Sequence, residues 1–131
     1  MNNQFDIPLE YLTDDEISEL SKVVGRLEEV SKRDESQQDF MSFVKHVWPT
    51  FVQGKHHEIY ADKLQKVAEG KIKRLIVNMP PRHTKSEFAS YLFPSWLMGR
   101  KPETKIIQAT HTAELAVGFG RKVKNLIDSE V

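Results

Sequence analysis

The chain predicts an α/β fold in which a parallel sheet with flanking helices follows a set of N-terminal helices. Two short apolar runs, Leu75-Ile76-Val77 and the Ile106-Ile107 pair within Lys105 to Ala109, have the length and β-branched content of strands. Each is followed by a turn and then by a stretch with helical periodicity. The order strand, helix, strand, helix requires parallel strands joined by right-handed crossovers. At 131 residues, with 39% hydrophobic and 29% charged positions, the chain can bury one core and has ordinary globular composition.

Along the chain, Thr13 and Glu16 stand at capping-box spacing ahead of Ile17, Leu20, Val23, Val24, Leu27 and Val30. Residues 13–31 therefore read as one amphipathic helix, weakened by Gly25 near its middle. This acidic helix serves either to dock a partner or to pack on its own domain. Lys32 to Gln38 is polar and reads as a linker, which places a domain boundary between residues 36 and 37. A second helix, about residues 38–48, stops at Pro49, and a third covers 57–69 with Gly70 as its cap. The first strand spans 73–78, and a helix starts near Ser86 that Pro94 should kink or end. The second strand covers 105–109, and residues 112–128 form the last helix.

Between the first strand and its helix lies Met79-Pro80-Pro81-Arg82-His83-Thr84-Lys85-Ser86-Glu87. Strand, tight turn, Lys-Ser and helix is the layout of a phosphate-binding loop. Such a loop supplies converging backbone N–H groups, a helix N-terminus, a lysine for the β and γ oxygens and a hydroxyl for the metal. Lys85 and Ser86 occupy the last two positions. Against the pattern G-x-x-x-x-G-K-[ST], Met79 and Thr84 fall where glycines belong. A β-branched residue resists the backbone conformations available to glycine, so Thr84 implies a wider loop or weaker binding. Pro80 and Pro81 shape the entry but have no N–H to donate. Taken as residues alone, the segment fits equally a solvated turn that opens a helix.

From Phe43-Val44 through Trp48-Pro49, His56-His57-Glu58-Ile59, Leu64, Gly70, Arg74 to His83 and Lys85-Ser86, the chain resembles the N-terminal ATPase region of tailed-phage terminase large subunits. Lys105 to His111, Glu114-Leu115-Ala116 and Phe119-Gly120-Arg121 continue the resemblance, which covers roughly residues 40–131. It implies a partial P-loop NTPase-type sheet in residues 37–131 and ATP with Mg²⁺ as cofactors. Lys85 would contact the β and γ phosphates, Ser86 would ligate Mg²⁺, and the N–H groups of His83 to Ser86 would cradle oxygens. Arg82 sits where the family carries an arginine finger in cis. His56 or His57, assisted by Gln53, would contact adenine. The implied partners are double-stranded DNA, a small terminase subunit, a portal protein and further copies in an oligomeric ring. The implied setting is the host cytoplasm and the procapsid.

Charge supports a division of labour, because residues 1–40 hold 11 acidic against 4 basic side chains whereas residues 41–131 hold 8 against 15. The basic part suits nucleotide and a nucleic-acid backbone. With no cysteine there is neither a disulfide framework nor a thiolate zinc site. The polar, acidic start, Met1 to Glu10, is unlike a secretion signal, and no apolar run reaches the roughly 20 residues that cross a bilayer. His57 and Glu58 make a poor metal pair, since adjacent helical residues point apart. No apolar strand ending in Asp-Glu, as hydrolysis requires, occurs in the sequence. The expectation is thus a front piece of a terminase, inactive alone, with the hydrolytic acids and nuclease elsewhere. The alternatives are a helicase-like P-loop ATPase fragment and a nonenzymatic binding module.

Overall fold

The computed structural model describes residues 12–129; the acidic start Met1 to Glu10 and the final Val131 lie outside the described residues. The chain divides into two compact units, Met1–Asp34 and Glu35–Val131. Helix α1, Asp14–Gln38, runs through that boundary. The linker expected at Lys32 to Gln38 is therefore helical. That segment holds no Gly or Pro to stop a helix, and Ser36 is buried rather than solvated.

In the first unit the capping box forms as its spacing requires. The Thr13 N–H and hydroxyl both donate to Glu16 Oε2 at 2.8 Å, and the Glu16 N–H donates to Thr13 Oγ1 at 3.4 Å. These bonds hold the Glu16 carboxyl below its usual range. The helix passes through Gly25 without interruption.

The second unit is built on α2 (Phe40–Val47), α3 (Lys55–Ala68), a wide-turned helical segment Glu87–Leu92, α4 (Phe93–Arg100) and α5 (Ala113–Ile127). Asp39 breaks the chain between α1 and α2 with extended backbone, and its carboxylate accepts from the Ser42 N–H at 2.6 Å. Gln65 of α3 joins both helices, accepting from the Phe40 N–H at 2.9 Å and donating to Gln38 O at 2.9 Å. Gly70 closes α3 with φ +75, a conformation that favours glycine. The core gathers Phe40, Val44, Tyr60, Leu64, Phe88, Leu92 and Trp96. Phe40 sits at its centre, edge-on to Phe88 at 5.7 Å and tilted against Trp96 at 5.3 Å.

The expected parallel sheet is absent: the described residues are helical in all their regular structure and contain no strand. The α/β assignment is overturned. Leu75, Val77 and Met79 pack on the core, but Ile76 between them is 87% exposed. Ile107 is 96% exposed. A run of consecutive apolar residues suggested a strand covered on both faces, whereas one face is open here. Neither segment meets another that returns its backbone donors and acceptors, so no ladder forms.

Pro94 neither ends nor breaks the helix that leaves the loop. A proline there removes one N–H and its ring crowds the carbonyl four residues back, that of Ser90. The chain widens before it: the Phe93 N–H reaches back five residues to Phe88 O. Gln108 Nε2 then donates to Ser90 O at 3.1 Å, replacing the bond that Pro94 withholds.

Candidate phosphate-binding site

The loop from Pro80 to Glu87 lines a cleft of ≈ 510 Å³ at the start of this helix. Two of its residues have left-handed backbone, Arg82 with φ 64 and Thr84 with φ 55. For a β-branched residue this conformation costs on the order of 1–3 kcal/mol and persists only where neighbours over-determine it. Thr84 stands at the position where the loop pattern has glycine, and it takes a backbone conformation natural to glycine.

α3 supplies the neighbours. His57 Nε2 donates to Thr84 Oγ1 at 2.8 Å, and the Thr84 hydroxyl donates onward to His83 O at 2.7 Å. On the other side of the ring, Nδ1 accepts from the Gly54 N–H at 2.9 Å. An amide can only donate, so Nδ1 is unprotonated and the imidazole is neutral with its hydrogen on Nε2. Burial lowers the His57 pKa from its ordinary value, and the neighbouring His56 and His83 lower it further. The ring is stacked over Phe88 at 5.5 Å and meets the Phe51 ring at 4.8 Å. One turn along α3, the Tyr60 hydroxyl donates to Lys85 O at 3.3 Å, and burial pushes its pKa up to about 12.

The Phe88 N–H closes the first helical turn on Thr84 O at 3.0 Å. Helix geometry leaves the N–H groups of Lys85, Ser86 and Glu87 ahead of it without an acceptor in the helix. Arg82, His83 and Ser86 are exposed, and Lys85 is half-buried. Among the described residues no carboxylate lies within ion-pair distance of Arg82 or Lys85. Glu87 is engaged by Lys122 of α5 at 3.1 Å. His83 Nδ1 donates to Pro81 O at 2.9 Å, which folds the tip of the loop on itself.

The expected residues divide accordingly. Pro81, Arg82, His83, Thr84, Lys85 and Ser86 line the cleft together. His57 stands behind the loop, buried and with both nitrogens engaged. Gln53 donates to Glu58 at 2.6 Å, which leaves its amide oxygen as the open group. His56 lines a separate cleft of ≈ 270 Å³ with Ile59, Tyr60, Leu75, Val77 and Met79. The bond from Tyr60 to Lys85 O has no counterpart in the sequence reading, and residue spacing carries no signal for it. The tie from His57 to Thr84 has none either: the sequence marks threonine in a glycine position as a difficulty and does not name the residue that holds it.

Among the described residues no group of three or more His, Cys, Asp or Glu could hold a metal ion. Of the two hydroxyls that line the cleft, that of Thr84 is engaged by His57 and His83 O, which leaves that of Ser86, with amide donors and two cations. That donor set fits Mg²⁺ carried in by a polyphosphate, where phosphate oxygens and water supply the other ligands. No family model, curated protein or solved structure matches the chain.

Proposed function

We propose that the loop Pro80 to Glu87 binds the polyphosphate of ATP, as part of the ATPase motor of a terminase-like large subunit that moves double-stranded DNA into a procapsid. The observation that carries the reading is the left-handed turn at Thr84, clamped by His57, that delivers Lys85 and Ser86 to a helix start with unpaired N–H groups. Anions are favoured at such a start by the amide donors and the helix dipole. Lys85 would neutralise the β and γ oxygens, Arg82 would serve the γ-phosphoryl group as a finger in cis, and Ser86 would ligate Mg²⁺. Mg²⁺ held there would supply positive charge to the phosphate oxygens. His56 and the open amide oxygen of Gln53 are the groups for the adenine. The basic charge of residues 41–131 suits a DNA backbone, and a small terminase subunit and a portal are the partners in this reading. No helix among the described residues is long and apolar enough to cross a membrane. The host cytoplasm and procapsid belong to the same proposal.

Calorimetry with a non-hydrolysable ATP analogue and Mg²⁺ tests it. The native chain should bind, and Lys85→Ala should weaken binding by roughly 10-fold or more, in line with loss of a charge-assisted contact of about 1.5–3 kcal/mol. Absence of binding by a folded native chain overturns the proposal and leaves a nonenzymatic binding module.

A further inference from the structure

We propose that the exposed apolar face of α1 is a homodimer interface, on which two copies of this chain pair antiparallel about a two-fold axis. Ile17, Leu20, Val23, Val24, Leu27 and Val30 form one stripe, and all six are between 40% and 64% exposed. The stripe is symmetric about the midpoint between Val23 and Val24. Reversing a second copy about that point sets Ile17 opposite Val30, Leu20 opposite Leu27 and Val23 opposite Val24, so every apolar residue meets another. An isologous contact requires this self-complementarity, with residue i meeting j and j meeting i. At three or four residue spacing the six positions span a face wide enough for helix-on-helix packing.

Charge selects the antiparallel direction and this register. A parallel pair would set Glu19 against its own copy and Arg26 against its own copy. Beside the stripe, Glu19 and Arg26 are exposed and share one flank, being two turns apart. The two-fold brings Glu19 of one copy within about two residues' rise, or about 3 Å along the axis, of Arg26 of the other, and does so twice. Gly25 falls on the opposite side of the helix from the stripe.

Sedimentation equilibrium of the full chain, with single-cysteine variants, tests the proposal; the chain has no native cysteine to interfere. The native protein should show a monomer–dimer equilibrium in the micromolar range, and Leu27→Glu should weaken it by roughly 100-fold by leaving a carboxylate unpaired in the contact. Val24→Cys lies about 1.5 Å along the axis from its own copy and should cross-link to itself under oxidation. Leu20→Cys lies about 10 Å from its copy and should cross-link only when mixed with Leu27→Cys. Arg26→Glu should weaken association, and adding Glu19→Arg should restore it. A monomer at all concentrations overturns the proposal, as does a Leu20→Cys variant that cross-links to itself as readily as Val24→Cys. None of these readings depends on nucleotide binding.

Discussion

Thr84 concentrates the physical tension of the loop. Its left-handed backbone is unfavourable, and the bond from His57 opposes that cost, so the two side chains should behave as one unit. Removing the ring by His57→Ala leaves the Gly54 N–H unpaired and opens space beside Phe88, at about 2–4 kcal/mol by analogy with buried aromatic truncations. In a Thr84→Gly background the backbone needs no clamp, so the same substitution should cost less by about 0.5–1 kcal/mol in a denaturation cycle. Equal costs in the two backgrounds would separate the residues. Acid should act through the same ring. The folded-state pKa of His57 is lowered from 6.5, so the unfolded chain binds the proton more tightly. The ring's contribution is complete above 6.5 and is lost as pH falls through the lower folded value. Denaturation midpoints should therefore drop below that pH, and His57→Gln should flatten the drop. Threonine in a glycine position was legible as a difficulty; that His57 answers it was not, because the two are 27 residues apart and meet only through α3.

Some helix ends were legible, since their signals are local, whereas the end of α1, expected at residue 31, lies at Gln38. Thr13 with Glu16 and Gly70 cap where side chain or backbone freedom demands, and the last helix, expected over 112–128, runs over Ala113–Ile127 with the Thr112 hydroxyl accepting from the Leu115 N–H. The failures were non-local. Leu75-Ile76-Val77 and Ile106-Ile107 have strand composition, but a strand exists only with a neighbour, and no neighbour is encoded in the run itself. Pro94 was read as a kink or an end; the helix instead widens ahead of it, and Gln108 gives Ser90 O the donor that the proline lacks. Gln108→Ala should leave that carbonyl unpaired beneath the wide turn, at about 1–2 kcal/mol, while Gln108→Glu should do no better because a carboxylate has no hydrogen to give. Thermal melts of the two variants check this, and a native-like melt for Gln108→Ala would make the bond incidental.

At the scale of the molecule, the core of the second unit begins before the helix that precedes it has ended. Trp96 Nε1 donates to Ser36 O at 2.9 Å, and Ser36 belongs to the last turn of α1. One continuous helix thus has Ser36 tied to a buried indole and every residue from Asp14 to Glu35 exposed. Amide hydrogen exchange should record this as a step in protection near Asp34, because the first unit has, among the described residues, no core of its own beyond a single helix, and such a helix frays. Amides from Glu35 onward should open only with the core. Those of residues 17–34 should exchange rapidly in dilute solution and slow down as the protein is concentrated, the helix taking its protection from a second molecule and its anchor from its own.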